Sequence, residues 1–299
     1  MRIKLIGTSA LLVLALSLPA AAGPLDANII PHDASVVAHI DIDAIRGSHS
    51  MGVTQNKLGQ QIQAAKREMI AELAPLDVDL LFDASSVTFW GKGNDAENGA
   101  VIIEGLDTRR AVAMLQQIPG HSSKRFKGVT VHRIDGEGAI AVVDSRVILA
   151  KEREDLMLTI DTIDGRETSI KRSRSMPDLR ATRGSFLVVA VDDKAARALQ
   201  KQASSALLSK GSIQGAVLEI GERRRDVMAR LTVETSGRAV ATKLREVVSG
   251  GAALLSLAAD EPELTRLLSS LSVTQSGSSV TAEISADPAM LIDVAKQAI

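Results

Sequence analysis

Three side chains that could bind a metal ion alternate along the first apolar strand expected in the chain. They are His39, Asp41 and Asp43, each separated by one residue. Because side chains on a strand alternate between two faces, this spacing would place one imidazole and two carboxylates on the same face. Such a set can bind a divalent metal ion and support a metal-dependent hydrolase. The alternatives are that these residues form the solvent-facing side of a half-buried strand, or that Asp43 caps the structure that follows.

The rest of the sequence contains no spacing that is typical of a particular reaction. It has no His-Glu-x-x-His motif, no Gly-x-Ser-x-Gly motif and no phosphate-binding Gly-rich loop between a strand and a helix. It also has no cysteine, which excludes thiol nucleophiles, cysteine-ligated zinc and disulfides. We therefore predict no catalytic residue and no cofactor. The first hypothesis is a non-enzymatic binding or scaffold protein.

The first 22 residues have the three-part form of a secretory signal peptide. Residues 1–4 are cationic, residues 5–18 are mostly apolar, and small residues precede an expected cleavage between Ala22 and Gly23. The alternative is an uncleaved anchor, although the apolar run is shorter than the roughly 20 residues that a membrane span prefers. We expect export to the periplasm or beyond the cell, and no transmembrane span after the signal.

Composition narrows the class of partner. The formal net charge is −1 and only 2% of the residues are aromatic, which argues against nucleic acid as a partner. In contrast, 45% of the residues are hydrophobic, and residues 251–259 form an apolar stretch. These features favour, as the alternative function, a carrier of a lipid or another apolar ligand. The expected partner is thus an apolar ligand or another envelope protein.

Short apolar strands alternate with amphipathic helices along the whole chain. Asp107 and the pair Asp287-Pro288 are typical of helix starts, and residues 56–74 have apolar residues at helical spacing. This pattern predicts an α+β fold. We expect two related halves, each a mostly antiparallel sheet covered by helices, with β-α-β-β-α plus further strands as a ferredoxin-like variant. The two sheets could stack face to face or join edge to edge.

An internal repeat supports the division into halves. Aligning residues 87–120 with 217–250 matches Gly91 with Gly221 and Glu104 with Glu234, together with apolar residues at core positions. We therefore predict one half at 23–165 and a second at 185–299.

Residues 166–184 lie between the predicted halves and are rich in basic residues and serine. We predict a solvated linker there, or alternatively a docking strip for an anionic partner. A second expectation concerns Gly250-Gly251, which could kink a long helix or permit close packing against it.

Two short segments carry a resemblance. Residues 30–38, Ile-Pro-His-Asp-Ala-Ser-Val-Val-Ala, and residues 83–91, Asp-Ala-Ser-Ser-Val-Thr-Phe-Trp-Gly, resemble elements of uncharacterised exported bacterial α+β proteins. The resemblance implies a secreted α+β domain. It brings no catalytic residue to this chain.

Overall fold

The structure is a computed structural model of the chain. It describes residues 25–72, 83–93, 95–173, 176–179, 184–202, 212–258 and 261–297. The predicted signal peptide, residues 1–22, therefore lies outside the described residues.

All the described strands belong to one 12-stranded antiparallel sheet. In chain order the strands are β1 (Val36–Asp41), β2 (Ser86–Lys92), β3 (Asp95–Glu104), β4 (His121–Phe126), β5 (Val129–Ile134), β6 (Glu137–Val143), β7 (Arg146–Ala150), β8 (Ser185–Val191), β9 (Ile213–Arg223), β10 (Asp226–Thr235), β11 (Ser272–Ser276) and β12 (Ser279–Ala286). The described helices are α1 (Ile42–Gly47), α2 (His49–Glu72), α3 (Thr108–Gln117), α4 (Arg153–Ile163), α5 (Asp193–Gln202), α6 (Arg238–Ala258), α7 (Pro262–Ser269) and α8 (Pro288–Gln297), with a short 3-10 turn at Ile170–Arg172.

The strand order is β11-β12-β10-β9-β8-β1-β2-β3-β7-β6-β5-β4. The α+β class is confirmed. The first and second parts of the chain join edge to edge through the antiparallel pair β1–β8, an arrangement that the sequence left open. The ferredoxin-like strand order is wrong. That motif separates the two strands joined by a helix, whereas here β1 pairs directly with β2 although α1 and α2 connect them.

Side-chain caps start several helices where the sequence predicts them. The Asp107 carboxylate accepts hydrogen bonds from the backbone N–H groups at the start of α3. The Asp287 carboxylate does the same for α8. Both bonds satisfy N–H groups that have no partner within the helix. The long helix α2 begins at His49, earlier than predicted, because a carboxylate from β9 satisfies its first N–H groups: Glu222 accepts from His49 and Ser50.

The main core lies between the sheet and helix α4. Trp90 is fully buried there, and its indole N–H donates to Thr159 Oγ1 on α4 at 3.1 Å. Trp90 therefore fills the main core and anchors α4 to the sheet. A second, smaller core lies on the opposite face of the sheet, under α1 and α3; its buried residues are Ile42, Ala84, Leu106, Ala111 and Val147.

The segment predicted as a solvated linker contributes to the core. Ile170 and Met176 are buried in the main core, and the Ile170 N–H donates to the Ile30 carbonyl oxygen. The prediction of a solvated linker is therefore wrong for these residues, because the two apolar side chains hold the segment against the sheet. Of the two expectations for the Gly250-Gly251 pair, close packing is wrong: α6 includes both glycines, and among the described residues no other group lies close enough to touch a side chain at either position.

Among the helices of the described residues, none is both long and apolar enough to cross a bilayer.

Candidate binding face

The two faces of the sheet can be traced residue by residue. Directly opposed residues of antiparallel strands lie on the same face, so their pairs form rows across all the strands. From β4 to β11, one row is Lys124, Val131, Ala141, Ile148, Ile102, Thr88, His39, Val188, Glu219, Arg230, Glu283 and Ser272. The adjacent row on the other face is Ser123, His132, Ile140, Leu149, Val101, Phe89, Ala38, Val189, Leu218, Leu231, Ala282 and Val273. We call these the mixed face and the apolar face.

The mixed face buries polar side chains at the centre of the sheet. His39 is only 3% exposed, and its Nδ1 lies 2.9 Å from Thr88 Oγ1 on the neighbouring strand. The expectation that His39 faces solvent is wrong. The reason is that β1 is the central strand: β2 and β8 flank it, and the main core continues over this face.

The two aspartates after His39 do not continue along the strand. β1 ends at Asp41, whose carboxylate caps α1 by accepting from the Ala44 N–H at 2.8 Å. Burial raises the pKa of the Asp41 carboxyl; the bond from Ala44 opposes this, and the nearby Asp43 carboxylate adds to it. Asp43 lies in the first turn of α1 and pairs with Arg46 at 2.8 Å, both side chains being buried. The cap is therefore Asp41, whereas the sequence suggested Asp43.

These contacts remove the geometric basis for a metal site on one strand. The chain turns into a helix between Asp41 and Asp43, so the three predicted ligands do not share a strand face. Across the described part of the chain, no group of three His, Cys, Asp or Glu side chains is arranged to hold a metal ion. His39, Asp41 and Asp43 instead make the hydrogen bond, the helix cap and the ion pair described above.

Beyond the central strands, the mixed face carries ion pairs between neighbouring strands. Arg230 on β10 lies 3.5 Å from the buried Glu219 on β9 and 2.7 Å from Glu283 on β12. The hydrogen bonds from Arg230 lower the pKa of the Glu283 carboxyl, so that it stays ionised. On the other side of the centre, Glu104 accepts from Arg146 at 2.8 Å and from Ser86 at 3.0 Å. In these two sets each charged side chain thus has a partner of opposite charge on a neighbouring strand.

The apolar face differs from the mixed face because its apolar side chains remain partly exposed to solvent. From Ile140 on β6 to Val273 on β11, every residue of its row is apolar, and none of them is fully buried. Leu231, on β10, is 42% exposed. A strand residue of this type is normally placed against a core, so a half-covered apolar row is the feature of this sheet that packing alone does not explain.

Several helices cover parts of the apolar face. Helices α1 and α3 pack on it through the second core. Helix α6 is attached near the other edge, where Gln275 of β11 donates to the Arg238 carbonyl oxygen and accepts from Thr242. At its C-terminal end α6 exposes three leucines, Leu254, Leu255 and Leu257, of which Leu257 is 86% exposed. The apolar stretch singled out in the sequence is thus largely exposed to solvent.

Sequence reasoning missed the partial exposure of the apolar face because alternation does not reveal which side of a strand is covered. His39 and Ala38 alternate in the same way whichever side is buried. The only sequence signal pointing to this surface was the apolar stretch at 251–259, which includes the exposed leucines of α6.

The comparisons with known proteins bear on the fold. The sequence matches no protein-family model and no curated protein. Among solved structures, crystal form IV of TP0453 is similar, with a TM-score of 0.50 and 10% sequence identity over 92% of this chain and 96% of that chain. Crystal form III of TP0453 gives a TM-score of 0.50 and 10% identity over 93% of this chain and 99% of that chain. The chain therefore has an overall fold similar to that of TP0453.

Proposed function

We propose that this chain is an exported, non-enzymatic binding protein and that the half-covered apolar face of its sheet is the surface that binds. The observation that carries the proposal is the row from Ile140 to Val273, which is apolar throughout and nowhere fully buried. Exposed apolar surface of this kind costs free energy in water, at about 25 cal/mol for each Å² left uncovered. Coverage by a ligand or partner recovers that free energy, which is why such surfaces mark binding sites.

The absence of reactive spacings in the sequence supports a binding role over an enzymatic one. The polar residues of the mixed face pair with one another, as in the Glu219, Arg230 and Glu283 set. The alternative of a metal-dependent hydrolase at His39, Asp41 and Asp43 has no support in the geometry of these residues.

The export part of the proposal rests on the sequence of residues 1–22, and places the protein in a periplasm. The same proposal includes an internal duplication. Outward from the central pair, the strands run β1, β2, β3, β7 on one side and β8, β9, β10, β12 on the other, which is the order that two copies of one unit would give.

A carrier of lipid or another apolar ligand is the second candidate. It is favoured by the aliphatic character of the face and by the exposed Leu254, Leu255 and Leu257 of α6, the helix attached to β11 on this face. The first candidate predicts an envelope protein on this surface, and the second predicts an acyl chain or similar molecule.

Site-specific photocrosslinking in the host separates these candidates. A photoreactive residue at Leu257 is expected to crosslink to a single protein under the first candidate, or to a lipid under the second. The matched control is Thr274, an exposed residue on the mixed face of β11. Equal labelling from the two positions would contradict a binding role for the apolar face.

A pair of variants on β10 tests the same face in vitro. Leu231→Lys places a charge on the apolar face, and Thr232→Lys places it one residue away on the mixed face. We expect Leu231→Lys to weaken binding of a fluorescent fatty acid, or of the crosslinked protein, by tenfold or more, about 1.4 kcal/mol. We expect Thr232→Lys to bind normally. Native mass spectrometry of the protein from its host then shows whether a lipid accompanies it.

A further inference from the structure

Two histidines meet at the edge of the sheet. His121 begins β4, the edge strand, and His132 lies diagonally opposite on β5. The Nε2 atom of His121 and the Nδ1 atom of His132 are 3.0 Å apart, and the ring centroids are 5.3 Å apart. His132 is buried while His121 is half-buried, so the pair opens to solvent on the His121 side.

The separation of the two nitrogens is close to that of two imidazoles bound to one metal ion. Imidazole nitrogens bind zinc at about 2.0–2.1 Å, so two of them on one tetrahedral ion lie about 3.3 Å apart. The observed 3.0 Å separation needs to widen by only a few tenths of an ångström. Because one ring must now act as hydrogen-bond acceptor, at least one of the two imidazoles is neutral, which is the form that binds metal.

The surroundings keep the ligand nitrogens available. Arg125 shares this face of β4, but its Nε donates to the Gly128 carbonyl oxygen at the far end of the hairpin. The Asp135 carboxylate lies against Gly120, the residue before His121.

We propose that His121 and His132 form a two-histidine site for a divalent transition-metal ion that prefers imidazole ligands, such as Cu²⁺ or Zn²⁺. In the described residues no third His, Cys, Asp or Glu completes the set, so water fills the remaining positions. The site is separate from the predicted ligands His39, Asp41 and Asp43, and it does not depend on the proposed function. The general order of divalent affinities places Cu²⁺ above Zn²⁺.

Calorimetric titration of the untagged protein with Cu²⁺ and Zn²⁺ tests the site. We expect one saturable site in each chain, tighter for Cu²⁺, and a loss of about tenfold or more in affinity for His121→Ala. The controls are His32→Ala and His49→Ala, which remove exposed histidines elsewhere and should leave binding unchanged. The absence of a saturable site, or undiminished binding by His121→Ala, would overturn the proposal.

A spectroscopic measurement needs no variant. The electron paramagnetic resonance spectrum of the Cu²⁺-loaded protein is expected to show coupling to two imidazole nitrogens. A spectrum without nitrogen coupling would reject the site and leave the pair as a hydrogen bond alone.

Discussion

On the mixed face of the sheet, Trp90 and His39 are buried, whereas their sequence neighbours Phe89 and Ala38 on the apolar face are only half-buried. The two faces therefore use their side chains in different ways. Burial of the mixed face stabilises the fold, because its apolar side chains pack under α4 and His39 is hydrogen-bonded to Thr88. The apolar face carries the smaller core under α1 and α3, and the rest of its apolar row stays only half-buried. The larger of the two cores therefore lies on the mixed face, and the smaller one lies on the apolar face.

The largest expected difference in stability between the two faces comes from truncating the neighbouring aromatic residues of β2. Trp90→Ala should lower the free energy of unfolding by about 3–5 kcal/mol, because it leaves a cavity and removes the bond to Thr159. Phe89→Ala should cost less than about half of that, since Phe89 is only half-buried. Urea denaturation of both variants measures the difference; equal losses would show that both faces are core.

The next comparison uses neighbours on β10. Arg230→Met leaves the buried Glu219 carboxylate without this cation and should cost about 1–3 kcal/mol. Leu231→Thr, on the apolar face, should change stability by no more than about 0.5 kcal/mol. The same denaturation experiment applies. If Leu231→Thr destabilises the protein more than Arg230→Met, the assignment of stability to the mixed face is wrong.

A smaller effect concerns Glu222, the acidic group that caps α2. Partial burial would raise its pKa, but the N–H groups of Ser50 and His49 outweigh this and hold it below the ordinary 4.5. The bond therefore contributes stability above pH 4.5 that is lost as the pH falls through the lowered pKa. Glu222→Gln should cost about 0.5–2 kcal/mol at pH 7. It should also remove part of the acid sensitivity, which denaturation at pH 7 and pH 3.5 would show.

The smallest expected effect comes from His132, at the end of the apolar row. Its pKa is lowered from 6.5 by burial and by His121, so the unfolded chain binds this proton more readily than the folded one. Stability should be full above pH 6.5 and decline as the pH falls below it. His132→Asn should flatten this part of the pH profile, while His32→Ala should not. If the pH dependence of stability is the same in His132→Asn as in the original protein, groups other than His132 cause the loss of stability below pH 6.5.

The positions of most helices and strands could be predicted from the sequence, but the order of the strands in the sheet could not. Caps such as Asp107 and Asp287 were predicted correctly because they act on N–H groups within three residues. The α+β class followed from the alternation of strands and helices. The strand order, however, depends on which distant strands pair, and no local pattern reports that β1 lies between β2 and β8.

The predicted site failed for a related reason. The spacing of His39, Asp41 and Asp43 assumes that the strand continues, but Asp41 ends it by capping α1. Which side of β1 is covered depends on α4 and on the segment around Ile170, residues more than a hundred positions away. The histidine pair at His121 and His132 likewise depends on the β4–β5 register, which no linear motif encodes.

The pairing of β1 with β8 has a consequence for how the protein is made. The first strand of the described part of the chain, β1, occupies the middle of the sheet, and one of its two neighbours begins at Ser185. A contact over so many residues slows folding, since a long loop must close before the contact forms. We therefore expect the nascent chain to remain incompletely folded until more than half of it has been synthesised, which pulse-labelled proteolysis of stalled chains of increasing length would measure.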